Sequence, residues 1–190
     1  TVEKRLQKLD KQSKSGDKKI LHQQELFRSL KDHLQQGRSA RSWETREEDE
    51  VLLNELQLLT RKPQLYVANV EDDAIESGNA HVEKLREAIQ EEQAEILLIS
   101  ARIESELAEI EEPEERQDLL AMYGLEEPGV NRLIRAAYKL LNLQTYFTAG
   151  EKEVRAWPVP VGATAPEAAG VIHTDFQKGF IKAEVIGYDD

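Results

Sequence analysis

The sequence predicts a mixed α/β chain: one parallel β-α-β unit, a helical-hairpin arm before it and a small mixed module after it. Three observations carry this. Two apolar runs, Gln64–Val70 and Glu95–Ile99, flank a helical stretch of the length a parallel crossover needs. Upstream of Pro63, leucines recur at helical spacing between charged flanks. Downstream, the three-four period of Val130, Leu133, Ile134, Ala137, Leu140 and Leu141 gives way at Gln144 to short extended runs.

In chain order, Thr1–Leu34 reads as two helical pieces. Val2, Leu6 and Leu9 form one stripe; Leu26, Leu30 and Leu34 form another, with Phe27 beside it, and Ser13–Asp17 interrupts them. Gly37–Ser42 is a polar linker. Thr45 and Glu48 have capping-box spacing, opening a helix with Val51, Leu52, Leu56 and Leu59 on one side. Three such stripes are too few for a dimeric coiled coil but suit an antiparallel hairpin. Pro63 stops the arm and the first strand follows. Val82, Leu85, Ala88 and Ile89 mark the crossover helix, and the second strand ends at Ser100-Ala101. Helical signals continue over Glu104–Glu112 and Glu115–Met122, broken at Pro113, with Gly124 as a C-terminal cap. After the Val130–Leu141 helix, Thr145–Thr148 and Val154–Val161 read as a β-hairpin turning at Ala149–Lys152. Two apolar strands lack the neighbours a parallel sheet needs. The sequence opens on Thr1 and stops at Asp189-Asp190, just after a strand, so both ends read as cut.

Composition narrows the function classes. A length of 190 residues bounds the chain to one or two domains, and 39% hydrophobic residues suffice for a core. The net charge of −12 argues against broad binding to a phosphate backbone, and no DNA partner is expected. The acidity is central: Leu59–Asn142 holds nine basic against nineteen acidic side chains. The first nineteen residues reverse this, with seven basic against three acidic, so Lys4 to Lys19 is the one segment suited to an anionic partner. A solvated helix face explains the same run. Without cysteine there is neither disulfide nor thiolate metal site, and His22, His33, His81 and His173 fall at no metal-ligand spacing. The longest aliphatic run, Ile96–Ile99, cannot span a bilayer, and no signal-peptide pattern opens the chain. A cytoplasmic protein without a membrane partner is expected.

Several uncommon words in the chain carry a resemblance. LNLQTYFTAG, KEVRAW, VGATAPEAAGVIHTDF and GFIKAEV resemble the TGS domain that ends YchF-type proteins, the Obg-related P-loop NTPases that associate with ribosomes. GLEEPGVNRLIRAAYKLL (Gly124–Leu141) and LTRKPQLYVANV (Leu59–Val70) extend it; before Leu59 only the pattern of a charged helical arm agrees. The resemblance implies a partial P-loop NTPase sheet with an inserted helical-hairpin (coiled-coil) arm and a truncated C-terminal β-grasp TGS module. The implied boundaries are 1–62 for the arm, 63–142 for the later half of the nucleotide domain and 143–190 for the TGS module. It further implies an intact, monomeric protein that binds and hydrolyses ATP or GTP with magnesium, partnered by the ribosome or ribosomal RNA. No G-x-x-x-x-G-K-[ST] occurs in these 190 residues. This stretch alone is therefore expected to hold no nucleotide firmly and to hydrolyse none, and no catalytic residue is assigned. A non-enzymatic module gripping a ribosomal or RNA partner is the alternative.

Candidate site residues sit at the two strand ends, where open α/β sheets bind ligands. Ras-related GTPases end a strand in Asn-Lys-x-Asp, the Asn bonding the purine, the Lys stem covering it and the Asp accepting from guanine's two donors. YchF-type proteins resemble this with Asn-x-x-Glu and an apolar second residue. Here Asn69, Val70 and Asp72 occupy those positions, so Asp72 departs from the family Glu and leaves ATP against GTP open. Ser100 and Ala101 match the Ser-Ala pair that reaches the base from the next loop. Arg102 either covers the base or faces solvent, and solvent is preferred. Tyr146, Phe147, Trp157, Phe176 and Phe180 either stack on RNA or fill a small core, mostly the latter.

Overall fold

A computed structural model describes residues 1–12, 17–92 and 94–187. The Ser13–Gly16 interruption, with Lys14, and the terminal Asp189-Asp190 lie outside them. The chain divides into two compact units, Thr1–Leu125 and Glu126–Asp190.

The first unit opens with α1 (Val2–Gln12) and α2 (Lys18–Gln35). Lys31 pairs with Glu3 at 3.2 Å and Arg28 with Asp10 at 3.3 Å, so early residues of one helix meet late residues of the other, an antiparallel hairpin. Val2, Leu6 and Leu9 are buried as their spacing requires. On α2 the buried line is Gln24, Phe27 and Leu30, while Leu26 and Leu34 are only half-buried. A glutamine is tolerated inside because its amide donates to Asp10 at 2.6 Å.

The helix expected over 45–59 is largely absent. A 3-10 turn at Glu47–Asp49 leads into the short α3 (Glu50–Asn54). No capping box forms: the Thr45 hydroxyl is buried with no hydrogen-bond partner among the described residues, and Glu48 turns to Arg46 at 3.5 Å. Buried Asp49 instead meets His22 at 2.8 Å. Gln57 adopts a left-handed φ of 48°, which a continuing helix excludes. Leu53 and Leu56 pack against the hairpin core, whereas Val51 and Leu59, expected on the apolar side, are exposed.

Beyond this arm, β1 (Leu65–Asn69) and β2 (Glu95–Ile99) pair in parallel, in register from Leu65–Glu95 to Asn69–Ile99. The crossover helix α4 (Ala80–Ala88) is capped by Asn79, whose side-chain oxygen accepts from the His81 and Val82 amides at 2.9 and 3.1 Å. Then come α5 (Ala101–Glu109) and α6 (Pro113–Met122). Pro113 opens α6, where its missing N–H costs nothing. Gly124, at φ 70°, closes α6: its amide donates to Ala121 at 3.1 Å and that of Leu125 to Leu120 at 2.9 Å, a Schellman pair. Val82, Leu98, Ile103, Leu107 and Leu120 form the core that clamps these helices to the strands. Arg41 joins arm to strand pair, donating to the Lys62 carbonyl at 3.1 Å and pairing with Glu92 at 3.3 Å. Glu92 also accepts from the Tyr66 hydroxyl at 2.9 Å, and that bond, with burial, raises the phenol's pKa.

The second unit holds α7 (Gly129–Leu140), the antiparallel strands β3 (Leu143–Ala149) and β4 (Val154–Pro160), α8 (Ala165–Ile172) and α9 (Thr174–Lys178). The strands pair from Leu143–Pro160 to Ala149–Val154, and the Gly150 amide bonds the Glu153 carbonyl at 3.0 Å across the turn. Tyr146 faces Trp157 and donates to the Ala168 carbonyl at 2.9 Å, seating α8 on that face. Arg155 stacks on Trp157 at 4.1 Å. Phe147 and Phe176 are exposed, so the aromatic residues fill the core only in part. Glu167 accepts from both the amide and hydroxyl of Thr164, and these bonds lower its pKa. The strand expected just before Asp189 is not formed: residues 180–187 have no regular structure, and Ile181, Val185 and Ile186 stand exposed. Their alternation suits a strand, but no described strand bonds them.

Candidate nucleotide-base site

Parallel pairing makes both strands end on the same side. Asn69 lies level with Ile99, and the Val70 amide donates to the Ile99 carbonyl at 2.8 Å, carrying the ladder one step past β1. Residues 69–72 and 100–102 are thereby brought together although some thirty positions apart in sequence.

Four of the five expected site residues converge there. The Asn69 side-chain oxygen accepts from the Ala101 amide at 2.9 Å. That orients the carboxamide and leaves its NH2 directed elsewhere. The Ser100 hydroxyl donates to Asp72 Oδ1 at 2.6 Å. Ser100 is 2% exposed and also caps α5, accepting from the Ile103 amide at 3.4 Å. The Ala101 amide, expected to face the base, is thus spent on Asn69. Val70 is the exception. Its side chain is buried with Ala74 and Ile75, so the residue at the position of the Lys stem packs into the core beneath the loop.

Arg102 faces solvent, as expected, but it also pairs with acidic neighbours. It is largely exposed, yet its guanidinium reaches Asp72 Oδ2 at 2.6 Å and Glu106 at 3.3 Å. The neighbouring Tyr123 hydroxyl, then the charges of Asp72 and Glu106, raise its pKa. Both Asp72 oxygens are therefore engaged, one by a neutral hydroxyl and one by a cation. The i,i+4 spacing of Arg102 and Glu106 was legible in the sequence, as was a serine between strand and helix. The Arg102–Asp72 pair was not, because it crosses between loops.

This geometry generates a prediction. Ser100→Ala removes a helix cap and an Asp72 partner together, so unfolding in urea should show a loss of about 1–2 kcal/mol. A midpoint equal to wild type would show that neither bond contributes.

The family YchF-GTPase_C, described as a protein of unknown function (DUF933), matches residues 143–190. The Ribosome-binding ATPase YchF of Bacillus subtilis (strain 168) is 48% identical over 192 residues, covering 100% of this chain and 52% of the relative. Its namesake from Escherichia coli O157:H7 is 44% identical over 190 residues, with the same coverage. Among solved structures, the Schizosaccharomyces pombe YchF GTPase superposes with a TM-score of 0.78 at 30% identity, over 95% of this chain and 50% of that one. The chain spans about half the length of the curated relatives it matches. Sequence similarity along the whole chain and fold similarity along nearly all of it agree: the chain is similar to about half of a YchF-type protein.

Proposed function

We propose that this chain supplies the base-recognition part of a ribosome-associated nucleotide-binding protein that, at the length of its relatives, binds and hydrolyses ATP or GTP with magnesium. The single observation carrying this reading is the locked pair of loops: Asn69 bonded to Ala101, and Asp72 bonded to Ser100, at one end of a parallel strand pair. In this reading Asn69, its oxygen held by Ala101, offers its NH2 to the purine N7, an acceptor that adenine and guanine share. Asp72 faces the base edge, Ser100 and Ala101 fix the loops, and Val70 packs beneath. Residues 1–62 act as the helical arm, 63–142 as the later part of the nucleotide domain and 143–190 as the TGS docking module of a cytoplasmic, monomeric protein. The names of the relatives, a ribosome-binding ATPase and a GTPase, support it. Residues that hold phosphate or magnesium would come from outside this stretch, since no phosphate-loop motif occurs within it.

Nucleotide affinity at the relatives' full length tests the base contacts. Asn69→Ala should weaken ATP and GTP alike, by about 1–3 kcal/mol. Asp72→Ala should weaken GTP more than ATP, because only guanine offers two donors to a carboxylate. Unchanged affinities in the Asn69 variant would refute the assignment.

Docking is tested separately. Lys4, Lys8, Lys11, Lys18 and Lys19 are exposed on α1 and the start of α2, a positive stretch on an acidic chain. Reversing Lys11, Lys18 and Lys19 to Glu should weaken ribosome co-sedimentation and flatten its dependence on salt. Sedimentation unaltered at low salt would make the arm a spacer and leave docking to residues 143–190.

A further inference from the structure

We infer that Arg102 sets base selectivity by occupying, within the protein, the place that guanine would take on Asp72. The inference rests on the base-site reading above and adds to it the residue that decides between purines. Guanine's recognition edge carries two adjacent donors, N1–H and the 2-amino group. The Arg102 guanidinium places one N–H donor of the same kind on the same acceptor, while its Nε turns to Glu106. Arg102 lies 2.6 Å from Asp72 Oδ2 while Ser100 holds Oδ1, so guanine must compete with the arginine to use this carboxylate. Adenine presents a lone pair at N1 and gains nothing from a carboxylate there. With Arg102 on Asp72, the negative charge that this lone pair meets is partly offset.

Arg102 is held in this position from more than one side. Besides Asp72, Glu106, one turn further along α5, lies 3.3 Å from its Nε. Asp72 is itself well enclosed, with a side chain 18% exposed, against 69% for Arg102. The carboxylate is thus the fixed member of the pair and the arginine the displaceable one. An exposed arginine makes a modest lock, so a bias between bases is expected rather than an absolute block.

The test uses the protein at the full length of its relatives, with affinities for ATP, GTP and ITP measured for wild type, Arg102→Ala and Asn69→Ala. Arg102→Ala should raise the ratio of GTP to ATP affinity about two- to fivefold. The gain should be smaller for ITP, whose base keeps N1–H but lacks the 2-amino group. A general disturbance of the loops would move all three nucleotides together and leave the ratios alone. If Asn69→Ala weakens every nucleotide while Arg102→Ala leaves the GTP to ATP ratio unchanged, the selectivity inference is wrong and the base site stands. If Asn69→Ala changes nothing, the base site itself is wrong and the inference falls with it.

Discussion

The parallel ladder between Leu65–Asn69 and Glu95–Ile99 is the constraint on which the first unit depends. Because the two strands run the same way in register, Asn69 and Ile99 end level, and the loops that follow must share one edge. The Asn69–Ala101 and Ser100–Asp72 bonds are local consequences of that register. A slip of one residue would turn alternate side chains to the opposite face and separate both pairs. The core around Val82, Leu98, Ile103 and Leu107 resists such a slip, since it buries residues from β2, the crossover helix and the helix that follows.

Recognition in such a site is a competition among hydrogen-bond partners already present. Asn69 spends its oxygen within the protein and retains an amide donor. Asp72 spends one oxygen on Ser100 and the other on Arg102. A purine bound as proposed would therefore meet a preorganised donor but a pre-engaged acceptor. Preorganisation removes the cost of ordering the Asn69 side chain, whereas pre-engagement charges any ligand that needs Asp72 for displacing what is there.

The strand pair was legible in the sequence because β-branched runs bounded by Pro63 and by acidic or polar loops leave little choice of conformation. So were α1, with its three buried leucine-spaced positions, and the Gly124 cap, which a left-handed φ requires. The helix expected over 45–59 does not form although its spacing fits one, because burial of Asp49 against His22 and the backbone reversal at Gln57 are tertiary matters. Gln24 inside the arm and Arg102 across the loops escaped for a related reason. Each is a long polar side chain whose partner is distant in sequence or on another loop, and spacing carries no trace of it. The last apolar run, Ile181 to Ile186, shows the converse: local alternation predicts a strand, but a strand needs a partner.

The central claim is that a purine sits against residues 69–72 and 100–102. Amide chemical shifts recorded as magnesium-ATP is added to the protein at its relatives' length test it most directly. The account predicts that the Asn69, Ala101 and Arg102 resonances move in a saturable manner, and that they move differently with magnesium-GTP. Saturable binding that leaves all three resonances in place would contradict it.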